Sequence, residues 1–206
     1  YNYIALMKFQ KIVAFLIFFC TCAKQPVDFE KDLEFDRGVF LNKETAEPYN
    51  GIIVGYHKNG QVKTRGTLKD GVPHGTTTSW FDNKVKKSEL RFKKGKNHGL
   101  QTFWFADGAK KEEGEYHEGS REGLWTYWHK NGRKKRQGAF KSDKQHGMWT
   151  AWYENGRREE EGMFKNGTMD GHMIGWYESG NKKYESYYRN GRLEGKKFIW
   201  NDVSNP

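Results

Sequence analysis

Beyond residue 50, apolar and polar positions follow one pattern that returns every 24 residues. Glycine stands at 51, 75, 99, 123, 147, 171 and 195. A ring follows in each unit, at Tyr56, Trp80, Trp104, Trp128, Trp152, Trp176 and Trp200. A second ring column runs Phe92, Tyr116, Phe140, Phe164 and Tyr188, with Leu68 in the first unit. Trp125 and Trp149 share one further column, so all eight tryptophans fall on two columns of a single register. Self-similarity at a fixed period marks a repeat architecture. The units run 51–74, 75–98, 99–122, 123–146, 147–170 and 171–194, with a partial seventh to 206. No residue is inserted or lost across that span. Each unit therefore stacks on its neighbour, because a free loop would tolerate changes of length.

Glycine every few residues excludes stable helices. Asn-Gly between aromatic or β-branched runs is a strong hairpin signal, and it predicts a turn whose two residues both take positive φ. GLWTYWH (123–129) reads as one strand and 133–141 as its antiparallel partner. Second turns follow at SDKQ (142–145) and, one unit earlier, EGSR (118–121). A two-residue turn at Asn131-Gly132 sets Trp125 opposite Gly138, where a large ring can cover exposed backbone. The turn column is Gly60, Gly108, Gly132, Gly156 and Gly180; Lys84 replaces it in the second unit and predicts a distorted turn there. A later column (Gly71, Gly95, Gly119, Gly167, Gly191) is broken by Asp143. With strands ~4.8 Å apart, each hairpin advances roughly 10 Å, and six give about 60 Å. The predicted fold is all-β: an elongated, twisted antiparallel β-hairpin repeat array without a single globular core. Residues 23–50 read as a linker and capping hairpin, and 195–206 as a partial repeat and second cap.

Composition adjusts this picture in one respect. Apolar residues make up only 35% of the chain, yet aromatics reach 16%. Burial must come mainly from Trp, Tyr and Phe, which can cover a large area in a thin structure. The net charge of +10, or +8 without Lys8 and Lys11, favours anionic partners.

The amino-terminal stretch differs from everything after it. Residues 7–22, MKFQKIVAFLIFFCTC, carry two lysines and then a short apolar run, the pattern of a secretory signal. That run is too short to span a bilayer. Residues 1–6 precede Met7 and read as upstream translation. A cysteine directly after the apolar run resembles a bacterial lipoprotein signal. Cys22 is the preferred anchor and Cys20 the alternative, which implies an exported, lipid-anchored protein of the bacterial envelope. Two acyl chains make a stable anchor where one binds only marginally.

The repeat itself has the form G-x-W-x-x-W-Y-x-N-G-x-x-x-x-E-G-x-Y-K-x-G. Residues 147–167, GMWTAWYENGRREEEGMFKNG, follow it almost throughout, with Phe164 in place of Tyr. This pattern resembles the variant MORN repeat over about residues 49–200, and it is similar to bacterial chains of the YwqK-like antitoxin-component family. The resemblance implies a β-hairpin array used for protein or membrane contacts, without catalysis. Lys84, Leu90, Asp143 and Ser186 depart from the pattern and put local turn geometry in question.

Candidate chemistry is sparse. His74, His98 and His146 share a column, but neighbours ~10 Å apart cannot share a zinc ion whose ligands lie ~2 Å from the metal. No nucleophile elbow, phosphate loop or H-E-x-x-H sequence occurs. Neither enzyme activity nor a cofactor is expected. A basic stripe is expected along the stacked units from Lys86, Lys87, Lys110, Lys111, Lys134, Lys135, Arg158, Lys182 and Lys183. Glu89, Glu113, Glu161 and Glu185 partly neutralise it. Trp80, Trp104, Trp125, Trp128, Trp149, Trp152 and Trp176 form a candidate aromatic binding face. The leading functional reading is an envelope-anchored scaffold that contacts a protein partner or an anionic membrane surface, with self-association through exposed rings also open. The alternatives are a carbohydrate- or cell-wall-binding aromatic repeat and an antitoxin-like protein that binds a toxin. Nucleic acid is not expected, since an exported protein rarely meets it.

Overall fold

The computed structural model describes residues 25–203; Cys20, Cys22 and the rest of the amino-terminal signal lie outside them. A single sheet of sixteen strands runs through the molecule in sequence order. Its full hairpins pair Gly51–Tyr56 with Val62–Lys69, Gly75–Trp80 with Lys86–Lys93, and Gly99–Trp104 with Lys110–His117. Ser120–Trp128 with Lys134–Lys141, Lys144–Trp152 with Arg158–Lys165, and Thr168–Trp176 with Lys182–Arg189 complete the set. Arg192–Ile199 adds the last strand. Every one of these neighbours is antiparallel, as the 24-residue period predicts; only Val27–Asp28, beside Gly51–Tyr56, pairs in parallel.

The two turn types are exchanged relative to expectation. At Asn131-Gly132 the Gly132 N–H donates to the His129 carbonyl (3.0 Å) and the His129 N–H to the Arg133 carbonyl (2.9 Å). Only Gly132 has positive φ (81°), while the Asn131 side chain accepts from the Arg133 N–H at 3.0 Å. This is a three-residue loop closed by a glycine bulge. Turns with both residues at positive φ lie at the opposite margin of the sheet, for example Asp70-Gly71 (52° and 73°) and Ser142-Asp143 (49° and 64°). The strand after that turn starts at Lys144, inside the stretch read as SDKQ. Lys84 does not distort its turn. It takes φ 67° and makes the same bonds, Lys84 N–H to Phe81 carbonyl (3.0 Å) and Phe81 N–H to Val85 carbonyl (2.8 Å).

Glycine at 147 and its equivalents serves a bulge. Gly138 pairs with Trp149 but Ala139 pairs with His146, so Gly147 and Met148 have no partner on that side. Gly147 sits at φ 75°, a conformation that side chains resist.

Rings then close over the sheet. Trp125 does stand opposite Gly138 in register. Its indole, however, lies over Gly114 of the preceding hairpin, and Gly138 is covered by Trp149 from the next one. A Cβ at either glycine would collide with the ring above it. The indole N–H of Trp125 donates to the Glu115 carbonyl (3.2 Å) and that of Trp149 to the Ala139 carbonyl (3.0 Å). Phe140 meets both rings edge-on, with centroids 6.0 and 4.9 Å away. Trp125 and Trp149 are only 2% and 3% exposed. A second cluster of Leu33, Tyr49, Ile53 and Leu68, with Val27, Phe29 and Phe40 against it, covers the start of the array. There the hairpin Leu33–Asp36/Val39–Asn42 ties to the first unit through the Phe40 N–H to Gly71 carbonyl bond (2.8 Å).

Candidate interaction surfaces

Successive residues of a strand point to opposite faces. Trp125 and Tyr127 therefore share one face of Ser120–Trp128, and Trp128 lies on the other. The seven tryptophans do not form a common face. Trp80, Trp104, Trp128, Trp152 and Trp176 line one side, half-buried, whereas Trp125 and Trp149 are interior residues of the opposite side.

The basic stripe divides in the same way. On the face of the Trp128 column, Lys86, Lys110, Lys134 and Lys182 extend over the rings of Trp104, Trp128, Trp152 and Trp200 at 5.2–5.8 Å. Three of these ammonium groups pair with the carboxylate three residues on: Lys86–Glu89 (2.8 Å), Lys110–Glu113 (2.8 Å) and Lys182–Glu185 (2.9 Å). Arg158 pairs likewise with Glu161 (3.2 Å), and Lys134 donates to Gln137 (3.0 Å). The hydrogen bond and charge of Lys182 hold the Glu185 carboxyl below its ordinary range. Each cation here meets its own carboxylate or amide, and each of the four lysines also caps a ring.

The second residue of each doublet turns to the other face. Lys87 lies over Phe81 (5.7 Å) and Lys183 over Tyr177 (5.4 Å). Lys111 and Lys135 make no ion pair among the described residues. They line a groove of ≈690 Å³ with Phe105, Arg121, Tyr127, Arg136, Phe140, Asp143, Lys144 and Trp149. The Arg136 guanidinium rests on the Trp149 ring (4.7 Å) and that of Arg121 on Phe140 (3.9 Å). Arg121 Nε also donates to Asp143 at 3.0 Å. Burial works against the Asp143 charge, but the Arg121 backbone and guanidinium outweigh it and hold the carboxyl below its usual value. Burial, and then the nearby charge of Glu112, push the Tyr127 phenol up.

The repeat pattern could not single out Arg121, Arg136 or Lys144. Arg121 shares its column with Asn97 and Gln145, and Arg136 with Glu112 and Glu160, so neither recurs. Lys144 aligns with Lys96 but follows a turn that the pattern placed later. Only their absence from the columns marked them.

A family model described as MORN repeat variant matches residues 145–166 and 169–190. Two adjacent units are MORN-like. Each matched MORN segment is one hairpin, entered after one double-positive turn and left at the next. The other hairpins share this loop geometry, with the same bonds at Phe105–Ala109 (2.8 Å) and His57–Gln61 (2.8 Å). No curated protein matches the chain.

Proposed function

We propose that this chain is a non-catalytic interaction scaffold, presented on the bacterial envelope through lipidated Cys22, that grips a protein partner on the face holding Trp125 and Trp149. MORN repeats generally mediate protein and membrane contacts. The observation that carries the reading is the unequal distribution of charge between the faces. Lysines on one side sit over neighbouring rings and mostly meet carboxylates, while in the central groove only Arg121 has a carboxylate and Lys111, Lys135, Arg136 and Lys144 make no ion pair among the described residues. Trp125, Phe140 and Trp149 of that face are too buried to stack against a sugar, which favours a protein over a glycan.

The test is site-specific photocrosslinking in cells that express the chain from Met7. A crosslinker at Lys135 should trap a discrete protein adduct, and one at Lys86 on the opposite face should not. Equal trapping from both positions, or none from Lys135, overturns the scaffold reading. Labelled palmitate should enter the wild-type chain and not Cys22→Ser; incorporation that survives that substitution removes Cys22 as the anchor.

A further inference from the structure

The central groove has a more specific chemistry than a general contact surface. Five basic side chains line it, and their only carboxylate, Asp143, is spent on Arg121. Glu112, across the strand pair from Tyr127, and Glu160, two strands from Arg136 in the same row, are further acids on this face. The Arg136 guanidinium sits over Trp149, 4.7 Å from the ring centre, a contact that restricts it while its N–H groups can still donate to an acceptor. Arg121 is held from two sides, by Phe140 and by Asp143. These donors are pre-oriented, so less side-chain entropy is lost when they bind.

Resting on the scaffold reading, we infer that the groove takes an extended, carboxylate-rich segment of a partner polypeptide, its acids spaced to meet Lys111 and Lys135. Those lysines are one unit apart, or two strand spacings of ~4.8 Å. A polyproline-II segment rises 3.1 Å per residue and returns to the same side every third residue, so carboxylates at i and i+3 lie about 9 Å apart on one side. That spacing fits the two lysines. A segment in β conformation would send the same pair to opposite sides.

Two other anionic classes fit less well. A membrane surface would meet the array along its length, whereas Lys111, Lys135, Arg136 and Lys144 converge on this one concavity. Single-stranded nucleic acid binds through bases stacked on open rings, and the Trp125, Phe140 and Trp149 rings here lie edge to edge in the interior.

The test uses the chain without its first 24 residues, a set of labelled synthetic peptides and a set of vesicles. The probe peptide carries Glu at every third position among Pro, Ser and one Phe. Controls carry Glu at every second position, or Gln for Glu. The probe should bind at low salt, weaken at least tenfold from 50 to 200 mM salt, and weaken at least tenfold with Arg136→Glu or Lys135→Glu. Lys86→Glu on the opposite face should leave binding within twofold. Circular dichroism of each variant confirms the fold, and Arg136 and Lys135 are exposed enough to be replaced without repacking. Equal binding by the Gln peptide overturns the proposal, as does equal loss with Lys86→Glu. Binding to phosphatidylglycerol vesicles without binding to the peptide also overturns it, in favour of a lipid surface. Crosslinking at Lys135 with no acidic-peptide binding would refute the ligand chemistry and leave the scaffold standing; absence of crosslinking would remove the scaffold itself.

Discussion

Leu90 stands where Gly114 and Gly138 stand in later units, and the residue that would cover it is not a tryptophan but Gln101. Gln101 is 1% exposed, and its amide donates to the Arg91 carbonyl (2.9 Å), the same bond that Trp125 makes to the Glu115 carbonyl one unit on. A larger floor is thus matched by a smaller lid. Gln101→Trp alone should destabilise by about 2–3 kcal/mol through overpacking, and adding Leu90→Gly should recover most of that loss. Urea denaturation of the four variants of the cycle measures the coupling. Tyr184 gives a second prediction at this scale. Burial, and then its hydrogen bond and proximity to Glu160, push the phenol well above its ordinary value of 10.0. The folded state therefore keeps a proton that the unfolded chain releases near pH 10. Stability should be level below that pH and fall as pH rises above it. Tyr184→Phe should make the fall shallower in alkaline thermal melts.

At the scale of the hairpin, the period and the strand positions were legible because ring columns and Asn-Gly pairs recur without slippage. The turn conformations were not. Asn-Gly suits both a two-residue loop and a three-residue loop with a glycine bulge, and Trp125 faces Gly138 in either, because a further bulge near Lys135 restores the register. Sequence spacing alone cannot separate them. The groove escaped for a related reason: it depends on Arg121 and Arg136, which appear once each. Lys84 holds φ 67° in an otherwise ordinary loop, so Lys84→Gly should stabilise the chain by about 1 kcal/mol, readable in a chemical melt. Units are also tied side by side at the loop margin. The Tyr153 hydroxyl donates to the Trp176 carbonyl (2.8 Å), that of Tyr177 to the Trp200 carbonyl (2.8 Å), and His129 meets the Trp152 carbonyl at 2.7 Å. Phe81 occupies the same position without a hydroxyl. Phe81→Tyr should add such a tie to Trp104 and about 1 kcal/mol of stability, a gain that Phe81→Leu would not give.

Across the whole molecule, stability should add up from units and the interfaces between them. Both margins are joined: the loop side by the ties above, the opposite side by glycine N–H groups such as Gly119 to the Asn97 carbonyl (2.9 Å) and Gly167 to the Gln145 carbonyl (2.9 Å). Removing residues 147–170 as one block should leave a folded array, because Met173, which already covers Gly162, would then cover Gly138. Its urea m-value should drop in proportion to the surface lost. Removing 147–158 instead should unfold the chain, since the columns would fall out of step. The ties along both margins have a kinetic consequence as well. They join residues 22 or 23 positions apart, so no tie waits for a distant part of the chain to arrive. Low contact order of this kind speeds folding. A chain emerging from one end can complete each unit against the last, like a zip drawn closed tooth by tooth.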